Sequence, residues 1–212
     1  MGNIIHVKQS TLDALLLIAG KKDIRHYLNG LRIEWTPEYT RVIGCDGCRL
    51  AIKIENHENQ GSGAVTIPRD VVERLPKRAS IAALVSITNA GDNWAILAGG
   101  ATINFQDSGD QYPDWRRITH GLKTSGEAAG YNLDFLQSFE KAGAIIGGGK
   151  LRVGNRTRVH HNGSQAALVT LDGIDGFAGV VMPLKDQVGS AGALFPADIA
   201  GTANPENEKA AA

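Results

Sequence analysis

The sequence lacks any excess of charge: 22 Lys and Arg oppose 22 Asp and Glu, for a formal charge of zero at pH 7. That balance argues against a protein that coats nucleic acid through a wholly basic surface. It leaves room for basic residues gathered on one face. No apolar run approaches the ~20 residues of a membrane-spanning helix. The first residues lack the charged, then apolar, then small order of a secretory leader, so the expectation is a soluble, cytoplasmic chain. Cysteine is scarce, and two residues three positions apart make no disulfide framework. What is present is 42% hydrophobic residues over 212 positions, enough to bury a real core. That length fits one large domain, or one and a half small ones.

Both cysteines fall in one stretch, Gly44-Cys45-Asp46-Gly47-Cys48-Arg49-Leu50-Ala51-Ile52. It has two readings: a Cys-x-x-Cys metal or redox site, or a strand turning back through Asp46-Gly47 into a second strand. A structural zinc site usually needs four ligands, and no second pair is spaced to supply them among His6, His26, His57, His120, His160 and His161. A redox pair normally opens a helix, whereas this one sits in a hairpin pattern. His160 and His161 would point to opposite faces of a strand. Gly147-Gly148-Gly149-Lys150 lacks the spacing of a phosphate loop and reads as a turn. No catalytic constellation stands out, and no cofactor is expected.

The element order repeats. A strand at 4–9 leads into a helix at 12–19, for which Ser10 or Thr11 is a natural N-cap. Strand-like runs follow at 25–35, 40–45 and 49–54. A strand at 64–67 then precedes a helix at 69–75 with Pro68 at its start, and strands at 82–89, 93–98 and 101–106. Asn132 caps a third helix at 133–141, expected to stop at Gly143, before strands at 150–153, 156–161, 166–171 and 179–182. Copies about sixty residues apart read as an internal repeat. The expected organisation is a two-repeat domain over 1–119, a linker at 120–128, a third repeat over 129–186 and a disordered tail at 187–212. The fold class is α+β, with helices on one face of antiparallel sheets. Cations on the outward helix faces are Lys21, Lys22 and Arg25, then Arg69, Arg74, Lys77 and Arg78, then Lys141. Acids interleave them, so a solvated mixed-charge face is the plain alternative.

Five short segments carry a family resemblance. Asp23-Ile24-Arg25-His26-Tyr27-Leu28-Asn29-Gly30 resembles the D-x-R-x-Y-L-N-G of bacterial sliding clamps, the β subunit of DNA polymerase III. Cys45-Asp46-Gly47-Cys48-Arg49-Leu50-Ala51 is similar to their T-D-G-H-R-L-A. Ile67-Pro68-Arg69 matches I-P-R, Tyr112-Pro113-Asp114-Trp115-Arg116-Arg117-Ile118 resembles F-P-D-Y-R-R-V, and Val180-Val181-Met182-Pro183-Leu184-Lys185 resembles V-V-M-P-M-R-L. The matches keep their order from residue 23 to residue 185.

The resemblance implies a DNA-clamp fold: a ring of such repeats with helices lining a hole and sheets forming the outer wall. Double-stranded DNA would thread the hole, and the helix-face cations would meet its phosphates without reading sequence. It further implies a pocket for short peptides of DNA polymerase, the clamp loader and other partners. The matching positions are Leu28, Cys45, Gly47, Cys48, Arg49, Leu50, Pro113, Arg117, Ile118, Val180, Met182, Pro183 and Leu184, with Arg49 and Arg117 at the rim. Ordinary strand core is the plain alternative for the apolar ones. Family members carry three domains of two repeats and close rings of twelve. Three repeats per chain would give a homo-oligomeric ring of four chains, and the shortened architecture suggests a phage- or prophage-type member. Cys48 stands where the family has histidine. A clamp-like adaptor or decoy that binds the same peptides without encircling DNA is the alternative. A Leu194-Phe195 pair in the tail resembles the anchors of clamp-binding peptides.

Overall fold

The computed structural model describes residues 2–108, 111–148 and 157–185. The expected strand at 150–153, part of the Gly147–Lys150 turn and the 187–212 tail, with its Leu194-Phe195 pair, lie outside the described residues. The first repeat is β1 (Ile4–Lys8), α1 (Gln9–Leu16), β2 (Gly30–Trp35), β3 (Tyr39–Cys45) and β4 (Arg49–Asn56). The second is β5 (Gly63–Pro68), α2 (Arg69–Glu73), β6 (Leu84–Ala90), β7 (Asn93–Ala98) and β8 (Ala101–Phe105). A short helix α3 (Trp115–Thr119) then leads to α4 (Leu133–Ile146), β9 (Thr157–His160), β10 (Ala167–Leu171) and β11 (Phe177–Val181).

The strands form two antiparallel sheets, ordered β1-β6-β7-β8 and β5-β2-β3-β4-β11-β10-β9. The first two repeats exchange their leading strands: β1 completes the second repeat's sheet, and β5 completes the first's. The third repeat joins by the antiparallel pairing of β11 with β4. Side-chain alternation sorts the larger sheet into two faces. Val42, Ala51, Val169 and Val181 face the helices within the main core, with Leu12 and Leu15 of α1 and Phe139 of α4. Ile43, Cys45, Leu50, Ile52 and Val180 face outward with Leu28 in a second apolar cluster.

A row of small residues lets the helices approach the sheet. Gly44, Ala51 and Gly179 are register partners across β3, β4 and β11. A Cβ at Gly44 would meet the Leu15 carbonyl at 2.6 Å, and one at Gly179 would meet Phe139 at 2.6 Å. Gly143 works the same way. The expected helix stop there is not one, since α4 runs on to Ile146 with Gly147 as its C-cap. A Cβ at position 143 would lie 3.0 Å from Leu171, so close packing is what this glycine serves.

The start of α1 also departs from expectation. Neither Ser10 nor Thr11 is its N-cap; the helix begins at Gln9, and Lys8 caps without a side-chain bond. Both hydroxyls point to other parts of the chain: Ser10 donates to the Ile81 carbonyl at 2.9 Å and Thr11 to Glu55 at 2.6 Å. Glu55, on β4, also accepts the Lys8 N–H at 3.0 Å and sits 2.9 Å from His57 Nε2. The first helical N–H, that of Gln9, donates to the Ala83 carbonyl at 2.9 Å, and the Glu55 carboxylate adds a negative charge beside the helix start. The run expected as one strand over 25–35 is split, because a 3₁₀ turn at His26–Leu28 precedes β2.

Burial opposes ionisation of Glu55, yet the bonds from Thr11, Lys8 and His57 outweigh it and hold the carboxyl below its ordinary value. Its stabilisation is therefore complete above the unfolded-state value and disappears as the pH falls through the lower folded one. Glu55→Gln should cost about 1–3 kcal/mol in urea unfolding at pH 7. That cost should shrink in acid; a pH-independent cost would contradict the assignment.

Candidate functional site

The β3–β4 hairpin turns through Gly47, whose φ of +90° suits glycine. Asp46 closes the turn: its N–H donates to the Arg49 carbonyl at 3.2 Å, and its carboxylate accepts the Cys48 and Arg49 N–H groups, each at 2.9 Å. The hairpin leaves Cys45 buried and Cys48 exposed, both as free thiols. Burial is the main cause that pushes the Cys45 thiol up, which disfavours the thiolate that redox or metal chemistry requires. Among the described residues no group of three or more His, Cys, Asp or Glu is placed to hold a metal ion.

Cys45, Leu50 and Val180 are register partners on β3, β4 and β11, so they lie side by side on the outer face. Over this row is a cavity of about 100 Å³ lined by Cys45, Gly47, Cys48, Arg49, Leu50, Pro113, Ile118, Val180 and Met182. Residues more than 130 positions apart thus share one depression. Its floor is the buried pair Leu50 and Val180, while Ile118 and Met182 are 37% and 48% exposed at its sides. The Met182 N–H donates to the Cys48 carbonyl at 2.9 Å and extends the β4–β11 contact beyond the strand. A second depression of about 300 Å³ shares Ile118 and continues along Leu122, Asn162 and Ala166.

Four of the expected pocket residues do not line the cavity. Leu28 is buried beneath it, in the same apolar cluster as Leu50 and Val180. Arg117 is exposed on α3. Pro183 and Leu184 follow Met182, and the Leu184 N–H donates to the Gly130 carbonyl at 2.8 Å. Arg49 touches the cavity, but its guanidinium is directed to the helices rather than the rim. It donates to Asp46 at 2.8 Å, to the Leu17 carbonyl at the end of α1 at 3.1 Å and to the Ser138 hydroxyl on α4, and stacks 4.7 Å from the Phe135 ring. One side chain ties the hairpin, the first-repeat helix and the third-repeat helix together.

The expected helix-face cations divide. Arg69 extends back over α1, donating to the carbonyls of Leu16, Ala19 and Gly20 at 2.5, 2.8 and 2.8 Å, and so caps the helix C-terminus. Arg78 pairs with Asp13, and Arg74 with Asp70 at 3.1 Å. Arg25 pairs with Asp23 at 2.8 Å and donates to the Asp46 carbonyl at 3.1 Å, which places it on the hairpin rather than a helix face. Lys141 donates to Gln137 at 2.9 Å. Lys21, Lys22 and Lys77 are exposed. Gln9, Ser10 and Thr11 of α1 are buried, so this helix presents less outward surface than its sequence suggests.

Sequence reading missed the attachment of α3. Trp115 Nε1 donates to Glu34 at 2.9 Å, Arg116 donates to both oxygens of Glu34 at 3.1 and 2.7 Å, and Arg41 donates to it at 2.9 Å. Trp115 and Arg116 fall inside one quoted motif, but nothing in the sequence links them to Glu34.

No protein-family model matches the chain. Over 134 residues it is 27% identical to the β sliding clamp of Proteus mirabilis, a match covering 62% of this chain and 36% of that one. A DNA polymerase sliding clamp from Pseudomonas aeruginosa superposes with a TM-score of 0.65 at 18% identity, over 86% of this chain and 66% of that one. The DNA polymerase III β subunit of Thermotoga maritima gives 0.65 at 12% identity, over 86% and 65%. A further Pseudomonas aeruginosa clamp, bound to griselimycin, gives 0.60 at 17% identity, over 86% and 65%. The fold is the sliding-clamp fold. The chain spans about a third of the curated relative in the matched region and just under two thirds of the solved structures.

Arg49→Ala should loosen the third repeat on the first at a cost of about 1–3 kcal/mol, since Asp46 and Ser138 lose a charged partner together. Amide exchange in α4 and β11 should rise more than in β6–β8. Uniform protection across both sheets would refute the junction role.

Proposed function

We propose that this chain, similar to the bacterial β sliding clamps, is a DNA clamp that encircles duplex DNA and tethers replication proteins by docking their peptides on its outer face. The observation that carries the reading is the row of Cys45, Leu50 and Val180 from two repeats, with Pro113, Ile118 and Met182 around it. Apolar peptide anchors seated there would remove Leu50, Val180, Ile118 and Met182 from water, at roughly 25 cal/mol per Å² of apolar area. A small set of such anchors supplies most of the energy of a peptide interface. Met182 is flexible enough to fit anchors of different shape, and Arg117 is exposed where a peptide acid could meet it. Polymerase and clamp-loader segments are the partner class. The role asks for no cofactor and no reaction chemistry.

On the helix side, Lys21, Lys22, Arg74, Lys77 and Lys141 are the cations that would meet phosphates. Such contacts are sequence-independent and screened by salt, which suits sliding. Retention on DNA would come from ring closure, in an assembly of several chains. A specific observation favours a second reading: Arg25, Arg69 and Arg78 are engaged within the chain. That would suit an adaptor that keeps the peptide depression without encircling DNA.

Two measurements separate the readings. A topological clamp stays on nicked circular DNA and slides off the same DNA once linearised; equal retention on both would overturn encirclement. Light scattering that finds a monomer at micromolar concentration would overturn a self-assembled ring. For the peptide site, Met182→Ala should weaken a fluorescein-labelled peptide carrying Leu and Phe anchors by about tenfold, or ~1.4 kcal/mol. Met182 is 48% exposed, so the fold should be unaffected.

A further inference from the structure

We propose that Glu34 is a positioning residue for the outer-face depression, holding the wall formed by Pro113 and Ile118 against the Leu50–Val180 floor. This rests on the peptide-docking reading of that depression.

The segment from Gln111 to Leu122 crosses the outer face of the first repeat on its way to the third. It contributes Pro113 and Ile118 to the cavity. Its one helix, α3, has no fully buried residue, and Trp115 is its one side chain packed against the outer apolar cluster, beside the flanking Tyr112 and Leu122. Polar contacts fix the direction in which it lies. Glu34 on β2 is the register partner of Arg41 on β3, and both project from the outer face. The Glu34 carboxylate is 14% exposed and accepts hydrogen bonds from Trp115, Arg116 and Arg41. The Trp115 ring is flanked by the Arg116 and Arg41 guanidinium groups, at 4.3 and 4.9 Å. Such bidentate, charge-assisted contacts fix direction as well as distance. One residue away in sequence from the wall residue Pro113, Tyr112 donates its hydroxyl to the Ile43 carbonyl at 3.1 Å.

Three residues thus converge on one carboxylate through four hydrogen bonds, and the short helix they fix carries Ile118 three residues beyond Trp115, on its next turn. Loss of Glu34 leaves Arg41 and Arg116 facing each other as like charges with no acid between them. The wall then retreats while the floor, buried in the sheet, stays in place. The site loses one side without losing its fold.

The test uses the full chain and the variants Glu34→Gln and Arg116→Ala. The second removes contacts from the solvent side, where Arg116 is 56% exposed, and keeps the proposal testable should Glu34→Gln fold poorly. Hydrogen exchange of residues 111–122 should accelerate about tenfold, with β2–β4 unchanged. Alkylation of Cys48 by N-ethylmaleimide should quicken as the opposite wall withdraws. Affinity for the labelled Leu/Phe peptide should fall at least about fivefold, or ~1 kcal/mol. Unchanged exchange in 111–122, or faster exchange with unchanged peptide affinity, would overturn the assignment. Failure of the unsubstituted chain to bind the peptide would instead overturn the docking reading. The Cys48 alkylation rate then decides the positioning role alone, an unchanged rate refuting it.

Discussion

The pairing of β11 with β4 is the constraint on which the rest depends. Without it the first repeat's sheet ends at an open edge along β4, and the third repeat is left with only the packing of α4 on α1. With it, one register sets two surfaces. The small row Gly44–Ala51–Gly179 admits α1 and α4 on one face, and the apolar row Cys45–Leu50–Val180 lines the depression on the other. A slip of one residue would exchange these rows, putting large side chains under the helices and glycines in the depression. Arg49 reinforces the pairing from the helix side. It sits opposite Val181 in the ladder and reaches both α1 and α4.

Several charges in this chain serve its internal geometry. Arg69 and Arg49 donate to carbonyls at the C-terminal end of α1, Glu55 stabilises the other end, and Glu34 with Arg41 and Arg116 fastens α3. These are partly buried sites, where a charge-assisted bond is worth more than at an exposed one. The remaining exposed cations are mainly lysines, flexible and strongly hydrated.

Much of this architecture was legible from pattern. Alternating apolar residues bounded by Asp46-Gly47, Gly91-Asp92 and Gly99-Gly100 marked strands whose paired order the structure keeps. The motifs around Leu50, Ile118 and Val180 pointed to residues that meet in one depression. Local rules failed where a distant partner outbid a near one. Ser10 and Thr11 have the right chemistry for an N-cap, but Ile81 and Glu55 take their hydroxyls. Gly143 has the right identity for a helix stop, but it lies in the helix interior, where Leu171 packs closely over it. Arg69 was expected to face outward; carbonyls left open at the end of α1 draw it inward.

The sequence alone determined most of the strands, the helices α1, α2 and α4 and the resemblance to the clamp family, because periodicity and turn chemistry act over a few neighbours; α3 and the 3₁₀ turn at His26–Leu28 were not legible in it. Only the tertiary structure decided which strands exchange between repeats and that β11 continues the first repeat's sheet. It also decided that Arg49 serves the helices rather than the rim, and that Glu34 holds α3. Those outcomes depend on which groups meet after the chain has folded. A residue 82 positions from its partner, as Glu34 is from Arg116, leaves no periodic trace of the contact.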